Sequence, residues 1–277
     1  MRTKDEVIAK LESGEKMLSY SAIKAFMQSP KHLIEYYLKV FDPTPAMELG
    51  TVLDWMMTEP ERIANDVLVV PTAASYASHD GLTTYAEFFA VDCPRSLKVA
   101  ERKEIIRAEA AKRTANGAIF LSAQDFETCE FVVDRVMNNR AARFAFELCD
   151  LRQDKFTTEI YGWTFRGARD MRCPGILTVD LKKTADASPF KFRRQARSMQ
   201  YALQGAIYTH ETNEDYYLLA YDMNANVCVH KVHESTINRA LDTLGRTVKQ
   251  LERCIEEGAW EQSYEFFAPD PVGHYLF

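Results

Sequence analysis

The stretch Phe165-Arg166-Gly167-Ala168-Arg169-Asp170, followed by Ile176-Leu177-Thr178-Val179-Asp180-Leu181-Lys182, reads as two short strands joined by a turn at Cys173-Pro174-Gly175. Side chains at i and i+2 of a strand share a face. Asp180 and Lys182 therefore point one way, while Leu177, Val179 and Leu181 point the other way, into a core. A regular first strand puts Arg166 and Asp170 on one face as well. The second strand is otherwise apolar, which predicts a central position, where two charges facing the same way need a reason. Two acids and a lysine on one patch suit phosphodiester chemistry that depends on a metal. The carboxylates would hold a hard divalent cation, and the lysine would position or activate a water or neutralise a phosphate.

Working outward, Lys155 to Tyr161 is a strand before this pair, and Phe190 to Thr209 is expected as one helix after it. At about 100° per residue, Arg193, Arg197, Gln200, Gln204 and Tyr208 share a stripe of that helix. Guanidinium, amide and phenol groups suit phosphate oxygens and an ordered water, although a solvated face would read the same way. Two more strands, Tyr216 to Tyr221 and Val227 to Val232, and a long helix from Thr236 to Glu257 complete a βββαββα order over residues 151–257. Residues 1–150 are mainly helical, with a polar surface loop expected from Thr72 to Thr84, and residues 258–277 form an aromatic tail. The whole is expected to be one α/β (α+β) domain over residues 1–277.

No apolar run reaches the ~18 residues of a membrane helix, and the first residues carry no secretory h-region. Six scattered cysteines without a C-x-x-C pair fit reduced thiols in a cytosol better than disulfides or a zinc site. The formal charge of −6 counts mildly against bulk attraction to nucleic acid, but the field at a site depends on local clusters. No G-x-x-x-x-G-K-[ST] sequence occurs, so neither a bound nucleotide nor an ATP motor is expected.

Taken together, these motifs resemble the PD-(D/E)xK nuclease superfamily, in particular its RecB-like and exodeoxyribonuclease VIII (RecE-like) phage-type exonucleases. Asp170 is similar to the first motif acid, Asp180-Leu181-Lys182 to the D/E-x-K, and Gln204-Gly205-Ala206-Ile207-Tyr208 to the Q-x-x-x-Y helix motif. Ser19 to Tyr37 is similar to the S-x-S…S/C-P…Y helices of RecB-like nucleases, and Gly50 to Pro60 to a G-x-x-x-H…E-P helix in which Asp54 replaces the usual histidine. The resemblance implies a restriction-endonuclease-like core, a mixed central sheet flanked by helices. It implies Mg²⁺, with Mn²⁺ able to substitute, on Asp54, Asp170, Asp180 and the Leu181 carbonyl. Lys182, Gln204 and Tyr208 would complete the catalytic set with the two core aspartates. Arg166, Arg169, Lys183, Lys191, Arg193, Arg194 and Arg197 would supply the positive field for DNA. No iron–sulfur cluster is expected, because Ser29 stands where some relatives carry a cysteine. The implied activity is ATP-independent exonuclease action on linear duplex DNA, 5′ to 3′, in recombination or repair. The implied setting is the cytoplasm of a bacterial or phage-infected cell, with a homo-oligomeric ring and a single-strand annealing protein as partner. A flap or structure-specific endonuclease, or a decayed DNA-binding protein on the same fold, are the alternatives.

Overall fold

The computed structural model describes residues 3–40, 42–71 and 78–267. Packing divides the chain into two compact units, one drawn from residues 1–42, 144–220 and 228–277, the other from 43–143 and 221–227. The first 42 residues join the sheet-bearing unit because Val7, Leu11, Leu18, Ile23, Phe26 and Leu33 share one core with Phe165, Leu218 and Leu251.

The first unit opens with α1 (Lys4–Glu12), α2 (Tyr20–Phe26) and α3 (Pro30–Leu38). Ser19 caps α2, its hydroxyl accepting from the Ala22 N–H at 3.2 Å, and Ser29 caps α3 in the same way through His32. Pro30 sits where α3 begins, a position at which a missing N–H costs nothing.

The second unit contains α4 (Pro45–Thr58), α5 (Ile63–Asp66), β1 (Val67–Val70), α6 (His79–Phe89), α7 (Val99–Ala115), β2 (Ile119–Ser122) and α8 (Ala123–Met137). Strands β1 and β2 pair in parallel, Val67 opposite Ile119. The loop expected from Thr72 to Thr84 is corrected in part. Thr72 to Ala77 lie outside the described residues, but α6 starts at His79, with Ser78 capping the Gly81 N–H at 3.0 Å. Leu82, Ala86 and Phe89 are buried at helical spacing, while the Ser, Thr and Gly content that suggested a loop belongs to the cap and outer face. On α7, Arg102 is fully buried and donates to the His79 carbonyl (2.8 Å) and the Thr83 hydroxyl (2.9 Å).

After α9 (Arg143–Leu148), the first unit resumes with β3 (Leu151–Ile160), β4 (Trp163–Cys173), β5 (Leu177–Lys183), α10 (Pro189–Ser198), α11 (Tyr201–Tyr208), β6 (Asp215–Tyr221), β7 (Val227–Lys231) and α12 (Glu234–Glu257). The sheet order is β3-β4-β5-β6-β7, with β3–β4 and β4–β5 antiparallel and a helical crossover leading from β5 to β6. Residues 177–181 of β5 are all buried, which makes it the central strand its apolar run predicts. The amphipathic α12 buries Ala240, Leu244, Val248 and Leu251 along one stripe. The expected continuous helix from Phe190 to Thr209 is broken. Gln200 takes a left-handed conformation (φ 57°, ψ 40°) between α10 and α11. The break frees the Met199 carbonyl, which accepts from the Tyr20 hydroxyl of α2. That docking offsets a backbone conformation costing about 1–2 kcal/mol in a residue with a Cβ.

Glu214, just before β6, anchors the closed end of the β4–β5 hairpin. Its carboxylate accepts from Arg172 (2.8–3.1 Å), the Gly175 N–H (2.8 Å) and the Thr178 hydroxyl (2.7 Å). Burial would raise its pKa, but these donors outweigh burial and hold it below the ordinary carboxylate value. Glu214→Ala, which leaves a half-buried Arg172 without this partner, is expected to lose about 3–5 kcal/mol in urea unfolding. The depressed folded pKa adds stability above the unfolded value of ~4.3, and that stability is lost as pH falls through the folded value. Wild type should therefore lose stability in acid more steeply than Glu214→Gln. A Cβ at Gly205 would come within 2.4 Å of the Tyr216 ring and 2.9 Å of Ile237. Gly205→Ala should cost about 1–3 kcal/mol by the same measurement.

Candidate active site

The β4–β5 ladder covers only Met171↔Val179 through Cys173↔Leu177. Beyond it the two strands part, although β4 stays paired with β3 as far as Trp163↔Ile160. Leu18 occupies the vacated edge of β4, donating to the Thr164 carbonyl and accepting from the Arg166 N–H, both at 2.9 Å. Asp170 and Asp180 stand where the strands separate. The Asp170 carboxylate replaces a ladder bond there, with Oδ2 accepting from the Leu181 N–H at 2.7 Å.

Each carboxylate is held by an amide from another element. Asp170 Oδ1 accepts from Gln153 Nε2 at 3.3 Å, and Asp180 Oδ1 accepts from Gln204 Nε2 at 2.8 Å. Gln153 lies within β3 at φ 47°, a conformation rare for a non-glycine residue. Asp180 is only 2 % exposed. Its Oδ2 is buried without an aligned hydrogen-bond donor and ion-pairs with the Lys182 ammonium. The Tyr201 ring covers that ammonium, its centroid 4.6 Å from Nζ.

Burial disfavours charge on both members of this pair. It raises the Asp180 pKa, with Lys182 opposing the rise. Burial would lower Lys182, but the charges of Asp180 and Asp170 prevail and hold it above the ordinary lysine value. Lys182 is therefore a protonated donor in this state. Tyr208 is buried, and burial followed by the Asp180 charge pushes its phenol up to about 12, so it stays neutral.

Sequence reading missed Gln153, Glu214 and the contribution of α2. Tyr20 feels the charges of Lys182 and Asp180, and Lys24 lies close enough that burial and then Lys182 lower its pKa. The S-x-S helix at Ser19 thus delivers an aromatic and a second cation beside Lys182. No local pattern signals the role of Gln153, because its conformation is set by β4.

The remaining expected residues are scattered. Arg169 is corrected: it is 5 % exposed, stacks over Phe156, and donates to the Tyr208 carbonyl and to Asp154, both at 2.8 Å. It serves the fold and is not open to a DNA backbone. Arg166 and Arg194 are exposed, Lys183 is half-buried, and Lys191 pairs with Asp186 at 2.5 Å. Arg193, Arg197 and Gln200 line a cavity with β7 and α12, so the break at Gln200 divides the expected stripe. Asp54 lies on α4 in the second unit, its Oδ1 accepting from the Tyr221 hydroxyl at 3.0 Å.

Among the described residues, no group of three or more His, Cys, Asp or Glu side chains gathers to hold a metal. The core unit offers two carboxylates, one with a buried oxygen lacking an aligned donor. That donor set fits a hard divalent cation, since Mg²⁺ is commonly held by one or two carboxylates with water and phosphate as its other ligands.

No curated protein matches the chain. Among solved structures, the crystal structure of a "Putative exonuclease" from Eubacterium rectale is similar over 100% of this chain and 95% of that chain, with 14% identity and a TM-score of 0.56. The structure of SSO0001 covers 75% of this chain and 86% of that chain at 12% identity, with a TM-score of 0.27. The first of these is a likeness of fold. Residues 19–263 match the family described as "PDDEXK-like domain of unknown function (DUF3799)". With the paired aspartates, the D-x-K lysine and the Q-x-x-x-Y helix on one sheet, the chain belongs to this PDDEXK-like family and carries the PD-(D/E)xK nuclease fold.

Proposed function

We propose that the protein is a metal-dependent deoxyribonuclease that degrades linear duplex DNA from its ends, 5′ to 3′ and without ATP, in recombination or repair. The observation that carries this reading is the buried Asp180, whose Oδ2 has the Lys182 ammonium as its charge partner, beside Asp170 at the parting of β4 and β5. Two carboxylates brought together where the strands part offer the kind of oxygen ligands that a hard divalent cation takes. End-directed action is supported by the fold shared with the protein described as a "Putative exonuclease".

Asp170 and Asp180 would hold Mg²⁺, with Mn²⁺ as a substitute. When bound, the ion supplies Lewis-acid stabilisation of phosphate charge and lowers the pKa of a ligated water. Gln153 and Gln204 fix the two carboxylates so that little reorganisation accompanies the reaction. The protonated Lys182 donates to the attacking water or a phosphate oxygen, and Tyr201 limits the positions its ammonium can take. Lys24 adds positive charge on the same side.

Labelled linear duplex and closed circular duplex, each with Mg²⁺ or Mn²⁺, test the proposal. Linear DNA should be degraded with early release of a 5′ label, and circles should survive. Cutting of closed circles would overturn the end-directed reading, and absence of metal-dependent cleavage on either substrate would overturn the nuclease. Asp180→Ala and Lys182→Ala should each lower the rate by about 10²-fold or more. Gln204→Ala and Gln153→Ala leave the carboxylates in place and should cost about 10–100-fold in activity or metal affinity, read from Mg²⁺ titrations.

A further inference from the structure

Arg193 and Arg197 of α10, with Gln200 at the break, line a cavity of about 550 Å³ between α10, α11, β7 and α12. Its floor is apolar, formed in part by the buried Leu203, Leu218 and Ala240. Its rim carries Arg193, Arg197, His230, Lys231, His233 and Arg239, and among the described residues no aspartate or glutamate lines it. Lys231 is partly neutralised by Asp215 at 2.5 Å. Arg193 donates to the Pro189 carbonyl at 3.1 Å and Arg239 to the Thr236 hydroxyl at 3.3 Å. Among the described residues, Arg193, Arg197 and Arg239 form no ion pair. Several like charges around one concavity repel one another and raise its affinity for an anion.

Guanidinium groups match phosphate oxygens in pairs. The apolar floor calls for a ligand that is more than an inorganic anion. One wall is flat and aromatic, with His230 stacked on Phe192 at 5.3 Å and 28°. Gln200, Thr236 and Thr243 add hydrogen-bonding edges. The volume lies within the range of small-ligand sites. We propose that this cavity binds a nucleoside phosphate, its phosphate on the arginines and its base against the aromatic wall and apolar floor. The ligand class rests on the nuclease reading. It would come either from an unpaired nucleotide of a strand or from a free nucleotide. Gln200 lines the cavity and its neighbour Tyr201 covers Lys182, so an occupied cavity lies one residue from the catalytic lysine.

Isothermal titration of the full chain in EDTA tests the assignment without any cleavage. The probes are 2′-deoxyadenosine 5′-monophosphate, inorganic phosphate, single-stranded (dA)₆ and hexaglutamate. The monophosphate should bind saturably and more tightly than inorganic phosphate. Arg197→Ala and Arg239→Ala, both at exposed positions, should each weaken it about tenfold. Tighter binding of (dA)₆ supports the site and assigns it to a strand, and equal binding supports the site for free nucleotide. No saturable binding at millimolar monophosphate, phosphate binding as tightly as the nucleotide, hexaglutamate binding more tightly than either, or arginine variants that bind like wild type would each overturn it. A chain that binds the monophosphate but cleaves no DNA sinks the nuclease reading alone, and the reverse result sinks the cavity assignment alone.

Discussion

A chain of buried and half-buried charges holds the core unit together. It runs from Glu214 before β6 to Arg172 on β4, from Arg172 to Asp154 on β3 at 3.1 Å, and from Asp154 to Arg169 on β4 at 2.8 Å. Arg169 then reaches the Tyr208 carbonyl at the end of α11. Each charge has an opposite partner or a hydrogen bond, the condition under which burial of ions is tolerated. The network ties β3, β4, β6 and the helix bearing Gln204 into one frame. Together with the buried Leu203 and Ile207 of α11, it holds the helix bearing Gln204 against the strands bearing Asp170 and Asp180.

With one end of the β4–β5 hairpin fixed, its other end is free to open. An unzipped strand edge inside a protein leaves backbone groups unsatisfied. Leu18 meets that demand on β4, and the Asp170 carboxylate meets it at Leu181 on β5. The opening gives the two aspartates room that a continued ladder would deny them. It also brings α2, with Tyr20 and Lys24, beside Lys182. The N-terminal helices thus belong with the site by packing, however far they lie from it in sequence.

Much of this was legible from local periodicity. The i, i+2 relation of Asp180 and Lys182, the apolar character of β5 and the four-residue spacing of Gln204 and Tyr208 each follow from the repeat of a strand or helix. What stayed hidden depends on pairing between distant residues. Glu214 sits in Thr212-Asn213-Glu214-Asp215, which reads as an exposed turn, and only the neighbouring hairpin reveals it as buried. Arg169 alternates like a surface residue, and its burial depends on Asp154 and Tyr208. Neither glycine nor proline marks the break at Gln200. The docking of Tyr20 from 179 residues away is what accommodates it.

That break also separates a basic segment from the buried carboxylates. The segment Pro189–Ser198 carries Lys191, Arg193, Arg194 and Arg197 and no acid, within a chain of net charge −6. On one straight helix Arg193, Arg197, Gln204 and Tyr208 would run as a single stripe along its length. The left-handed turn divides the stripe. Gln204 stays with the buried carboxylates, where an amide can orient Asp180 without adding charge. The arginines go to a separate concavity, where charge can attract without disturbing the pKa balance of Asp180 and Lys182. Local fields set affinity for phosphates more than the total charge does, and one residue at positive φ stands between the arginines of α10 and the Gln204 that holds Asp180.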